Sequence, residues 1–144
     1  MAYAFGKRSR DNLLGVHPDM VKVVNRALQI CSQTGGPDFS VIEGVRTEAR
    51  QKQLYAQGRT TPGPIVTWTL KSNHFRNKVT GYGHAVDLFP GSWNDVKLFE
   101  KMAQAMFQAS KELGIPIRWG ADWDRDGNFR EKGETDSPHF ELAR

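Results

Sequence analysis

The stretch SNHFRNKVTGYGHAVDLFP, residues 72–90, decides how this chain folds and where its chemistry lies. Its second half, GHAVDLF at 83–89, reads as a strand. Side chains alternate along an extended segment, so Gly83, Ala85 and Asp87 share one face while His84, Val86 and Leu88 share the other. A carboxylate beside two very small residues makes a face that admits a substrate; valine and leucine make a face that packs. His84 therefore points away from Asp87 and reads as a hydrogen-bonded histidine of the core or of the site's surroundings. The same alternation applied to HFELA, residues 139–143, puts His139 and Glu141 on one face and sends Phe140 and Leu142 into the core.

Outward from these strands the pattern is mixed. Residues 18–33 read as a helix with Pro18 in its first turn and Val21, Val24, Leu28 and Cys31 along one side. TGGP breaks the chain, and DFSVIEGVRT follows as a strand with Phe39 and Val41 turned inward. Thr47 caps an expected second helix, EARQKQLYAQG, closed by Gly58. RTTPGPIVTWTLKSN is a connecting loop. Residues 93–113 carry the longest helical pattern, with Val96, Phe99, Met102 or Ala103, Met106 and Leu113 facing the core and Gly114 as the stop. IPIRWG and HFELA are two more short strands. Helices early and late with strands between and after them predict an α+β fold: a single domain over 1–144 with a small, mainly antiparallel sheet flanked by helices.

Composition narrows the function classes. The chain has 144 residues, 38% of them hydrophobic and 25% charged, with a net charge of +4. That suits one domain with a proper core. It contains no run of about 18 apolar residues, which predicts no membrane insertion. Its N-terminus has no apolar segment behind the basic residues, which predicts no secretory signal. The single cysteine, Cys31, excludes an intramolecular disulfide and a cysteine zinc cluster, and its apolar helical setting makes it a buried structural thiol. The positive charge suits an anionic partner such as nucleic acid, a membrane surface or a bacterial wall polymer without choosing among them, and the scattered basic residues, without a nucleic-acid motif, speak against direct DNA binding.

Zinc in a hydrolase takes three protein ligands from His, Asp or Glu and keeps a fourth position for water. His17, beside Pro18 at a helix start, reads as a surface residue. The face assignments select His74, from the loop before the strand, with Asp87 and His139. His84 stays the alternative to His74.

These residues resemble a known family. SNH…GYGHAVD is similar to the S-x-H…G-x-A-x-D signature of the D-Ala-D-Ala carboxypeptidase-like zinc peptidases, which share the hedgehog-type fold, and within them to the L-alanyl-D-glutamate peptidases that phages use as endolysins. EGVRTEARQKQLYAQGRT, LGIPIRWGADWD and DSPHFEL are further matches in the same order, so the likeness spans nearly the whole chain. The resemblance implies zinc on His74, Asp87 and His139, with Asp136 as the catalytic base and Arg46 polarising the scissile carbonyl. It leaves Glu141 as a residue that orients His139 and His84 as a neighbour of the site. One departure stands out: His74 lies thirteen positions before Asp87, a longer interval than in most relatives, with FRNKV inserted. DWDRDGN, residues 122–128, carries Asp122, Asp124 and Asp126 at alternate positions before a glycine, as in the first half of a calcium loop. Calcium-dependent members of the family make these a candidate calcium site, although Gly133 occupies the position of an EF-hand's bidentate glutamate.

The expectation is a monomeric zinc endopeptidase acting on peptidoglycan stem peptides at the L-Ala–D-Glu bond. It has no separate wall-binding domain, is made in the host cytoplasm, and reaches the wall once the membrane is permeabilised. The alternatives are a D,D-carboxypeptidase or dipeptidase on the same scaffold, and a non-catalytic zinc-bearing binding module.

Overall fold

A computed structural model of the chain describes residues 3–45, 52–53, 56–57, 59–60, 80–120 and 136–143, with Asp136 and Ser137 described by backbone alone. Within them lie three helices, α1 (Lys7–Leu13), α2 (Pro18–Thr34) and α3 (Val96–Leu113), and four strands, β1 (Ser40–Glu43), β2 (Ala85–Phe89), β3 (Ile117–Gly120) and β4 (Asp136–Leu142). The strands form one sheet in the order β1-β2-β4-β3, every pair antiparallel. The α+β class is as the sequence predicts. The expected helix at 48–58 and the connection after it fall mostly outside the described residues.

The two long helices start and stop where their sequences dictate. Pro18 occupies the first turn of α2, where its missing N–H costs nothing, and Gly35 ends it in the left-handed conformation at φ 75°. Asp95 caps α3, its carboxylate accepting from the backbone N–H of Lys97 and Leu98, and Gly114 ends it at φ 69°. Both helices are amphipathic, and Met20, Val23, Val24, Ala27, Leu28 and Cys31 of α2 meet Phe99, Met102, Ala103 and Met106 of α3 in one buried cluster with the sheet. Val96 and Leu113 are exceptions to the expected stripe, being 39% and 42% exposed. They are the first and last residues of α3, where the helix runs past the edge of the core. On the outer side of the helix pair Arg26 of α2 donates Nε–H to Glu112 of α3 at 2.7 Å.

Burial makes Cys31 chemically quiet. Desolvation, with Asp38 nearby as a smaller contribution, pushes its thiol up from 9.0 to about 11. A buried thiol at that pKa stays protonated at neutral pH and is a poor nucleophile.

Helix α1 escapes sequence reading because KRSRDNL has no apolar stripe; it buries only Ser9 and Leu13. It covers an edge. The backbone N–H of Val41 donates to Ser9 Oγ at 3.1 Å, and Asn12 Nδ2 donates to the Val41 carbonyl at 2.8 Å. Two side chains thus occupy the hydrogen-bonding groups that an edge strand leaves over. The approach is so close that a Cβ on Gly44 would collide with the Asn12 carbonyl oxygen. A glycine is required there for α1 to lie against the end of β1.

The sheet sorts its side chains by parity. Val41 of β1, Val86 and Leu88 of β2, Phe140 and Leu142 of β4, and Ile117 and Trp119 of β3 are all buried in the cluster with the helices. Trp119 and Phe140 stack nearly parallel, 7° apart with centroids at 6.1 Å. Each such side chain withdrawn from water contributes about 1.5–3 kcal/mol. No helix among the described residues is long and apolar enough to cross a membrane.

Candidate metal centre

The other parity of the same strands carries polar groups. In the β2–β4 register Asp87 lies opposite His139 and Ala85 opposite Glu141, while β3 adds Arg118 opposite Glu141. On β1 a bulge between Val41 and Glu43 brings Glu43 opposite Asp87. Without the extra residue Glu43 would share the parity of Val41 and face the core; bulges commonly re-aim a side chain in this way. A second irregularity brings Asp136 opposite Gly120 where the regular register would place His139, so Ser137, Pro138 and His139 bow out from β3. Pro138 lies within that bow and has no N–H to give to a ladder, which is why the pairing lapses there.

His139 and Glu141 are buried, at 8% and 7% exposure. His139 Nε2 lies 2.8 Å from Glu141 Oε1, and His139 Nδ1 lies 3.4 Å from Asp87 Oδ1. The first contact has the length of a charge-assisted hydrogen bond and assigns the ring proton to Nε2. In a neutral ring Nδ1 is then a lone pair facing a carboxylate oxygen. A proton or a metal ion between the two would satisfy both. A proton would draw them together to about 2.7–2.9 Å. Two ligands about 2.0–2.1 Å from a shared tetrahedral ion stand about 3.3–3.4 Å apart. The 3.4 Å spacing of His139 Nδ1 and Asp87 Oδ1 is compatible with two ligands of one ion. Glu141 holds the remote nitrogen as a carboxylate does in carboxylate–histidine–metal arrangements, so the donor set fits a zinc-type site in chemistry as well as distance.

Among the described residues no three His, Cys, Asp or Glu side chains are grouped to hold one ion; the pair is Asp87 and His139. His74, Arg46, Asp122, Asp124 and Asp126 lie outside the described residues, and Asp136 is placed by its backbone only, at the start of β4. His84 stands just before β2. Its backbone carbonyl accepts from Leu142 N–H at 2.9 Å, its Nε2 is 2.9 Å from Thr80 Oγ1, and its ring packs edge-on against His17 with centroids at 5.3 Å.

His17 corrects the surface reading. Its side chain is only 15% exposed. Nδ1 accepts the backbone N–H of Asp19 at 3.0 Å and so caps α2. Its own backbone N–H donates to the Gly83 carbonyl at 2.9 Å, tying the start of α2 to the entry of β2. Arg118 is the other residue that sequence reading passed over. Alternation with the apolar Ile117 and Trp119 in IPIRWG was the signal that it points away from the core.

The fold is an antiparallel sheet backed by two helices, with a histidine–carboxylate pair on the face away from them. The description "Phage L-alanyl-D-glutamate peptidase" fits residues 1–143. The chain is 35% identical to the L-alanyl-D-glutamate peptidase of Escherichia phage T5, over 99% of this chain and 100% of that one. It is 31% identical to the peptidoglycan L-alanyl-D-glutamate endopeptidase CwlK of Bacillus subtilis, over 88% of this chain and 73% of the relative. The crystal structure of the Serratia marcescens L-Ala D-Glu endopeptidase ChiX superposes with a TM-score of 0.68 at 32% identity, covering 98% of this chain and 91% of that one. The chain belongs to the phage L-alanyl-D-glutamate peptidase family.

Proposed function

We propose that this protein is a zinc endopeptidase that cuts the L-Ala–D-Glu bond of peptidoglycan stem peptides and serves a phage in host lysis. The observation that carries the metal is the pair His139 Nδ1 and Asp87 Oδ1, 3.4 Å apart, with Glu141 on the opposite ring nitrogen. Family membership supports the bond.

Asp87 and His139 would hold zinc with His74 as the third ligand, and Glu141 keeps His139 in the tautomer that offers Nδ1. Bound there, zinc would supply Lewis-acid activation of water and of the scissile carbonyl. Asp136 takes the proton from the attacking water and returns it to the leaving amine. Arg46 stabilises the negative charge that develops on the carbonyl oxygen, an effect commonly worth about 2.7–4 kcal/mol for one donor. The roles of His74, Asp136 and Arg46 rest on the resemblance of their motifs. Calcium at Asp122, Asp124 and Asp126 belongs to the same proposal. Calcium added to chelated protein should raise its melting temperature or activity, and no response to it removes that part.

The deciding experiment is mass spectrometry of fragments released from purified Gram-negative sacculi, with and without chelator. New D-Glu amino termini that vanish on chelation are expected. Release of D-Ala instead would move the enzyme to the carboxypeptidase branch, and no release with zinc and calcium supplied would leave a binding module.

A further inference from the structure

We propose that Arg118 binds the free α-carboxylate of the substrate's D-glutamate and makes the enzyme selective for that acid over its amide. The inference rests on the cleavage proposed above and adds a specificity residue to it.

Three observations converge. First, Arg118 lies on the face that carries the metal pair, directly opposite Glu141 in the β3–β4 register. It is therefore one strand, about 4.8 Å, across and two residues, about 7 Å, along from His139, within the reach of an arginine side chain. Second, its Nε is buried and has no hydrogen-bond partner. A desolvated guanidinium nitrogen without an acceptor is unfavourable, and the nearest cross-strand carboxylate, Glu141, already spends Oε1 on His139. Third, the described side chains around it are acidic: Glu43, Asp87 and Glu141 line the same face by register. Two of these are committed to the metal pair. Among the described residues of that face, Arg118 supplies the positive charge that an anionic substrate would meet.

The chemistry of the bond supplies the anion. The stem peptide continues from D-glutamate through its γ-carboxyl, which leaves the α-carboxylate free. That carboxylate sits on the carbon bearing the leaving nitrogen, so a scissile bond aligned on Asp87 and His139 carries it close to the same face. Arginine's planar fork matches a carboxylate bidentately, and an amide, with one acceptor oxygen and no charge, cannot replace it. Gly120, two residues on from Arg118, adds no side chain between the guanidinium and the His139 rung.

The test uses the full chain and two synthetic stem peptides, identical except that the D-glutamate α-carboxyl is free in one and amidated in the other. The wild type should prefer the acid by about 10- to 100-fold in kcat/KM, the range of a hydrogen-bonded charge pair. Arg118→Gln should bring that ratio down towards one, and Arg118→Lys, which keeps the charge without the fork, should give an intermediate ratio. Zinc content and melting temperature report separately on folding. An equal loss on both peptides would overturn the proposal by making Arg118 a structural residue, and an unchanged ratio would overturn it outright. If the wild type cleaves neither peptide, the function itself fails, a result distinct from either of these.

Discussion

The two faces of the β2–β4 pair come from the same two stretches of chain and follow opposite rules. Towards the helices, Val86, Leu88, Phe140 and Leu142 are almost fully buried. Each gains stability in proportion to the apolar area it covers, and little depends on the atomic position of any one contact. One residue away along the same backbones, Asp87, His139 and Glu141 are polar groups held close together and partly or wholly out of water. Burying them costs free energy unless each finds a partner in good geometry. Each strand thus divides labour by parity, with one face maintaining the fold and the other held by it at a cost. The division predicts that damage to one face leaves the other's property largely intact.

The largest effects are expected at Asp87 and His139. His139→Ala or Asp87→Ala should abolish peptidase activity and zinc binding, measured by calorimetry, while the circular dichroism spectrum stays that of the parent. Loss of fold along with metal would show that the polar face also holds the sheet together. On the apolar face the expectation inverts. Phe140→Ala should cost about 3–5 kcal/mol in denaturant unfolding, yet the fraction that stays folded in the cold should still bind zinc. Wild-type stability for this variant would mean that the Trp119–Phe140 stack contributes nothing to the core.

Smaller effects sharpen the picture. Glu141→Gln keeps the shape and a hydrogen-bond acceptor for His139 but removes the charge. Zinc affinity should fall about 10- to 100-fold, as for other residues that orient a metal ligand. An unchanged affinity would remove Glu141 from the site. Least of all should change at Arg26 and Glu112, the exposed bridge between α2 and α3. Arg26 holds the Glu112 carboxyl below its ordinary range, chiefly through the hydrogen bond between them. A lowered folded-state pKa stabilises above the unfolded value and is lost as pH falls through the folded one. The small melting-temperature deficit of Glu112→Gln should therefore be present at neutral pH and vanish in acid. A deficit that persisted in acid would show packing rather than charge as its cause.

Much of this was legible beforehand because it is written in local periodicity. The 3.6-residue stripes of α2 and α3, their glycine stops, and the two-residue alternation around Asp87 and His139 all depend on neighbours within a few positions. What was missed lacked such a signal. Helix α1 has no stripe because it covers a strand edge through Ser9 and Asn12 rather than burying a face. His17 is a short-range cap in sequence, but its ring contact with His84 and its bond to Gly83 join segments far apart. Val96 and Leu113 fit the stripe and still lie outside the core, since periodicity does not say where a core ends.

Which residues share a face, the α+β class and the motifs that mark the family are all contained in the chain's local order, because backbone sterics and hydrophobic spacing act over a few residues. That β2 and β4 are neighbours, in a register setting Asp87 against His139, emerges from the folded chain alone. So do the bulge that turns Glu43 to the same side and the place of Arg118 across from Glu141 with a buried nitrogen unpartnered. Register is a property of two strands at once, set by how both apolar faces meet the helices, and no single stretch contains it.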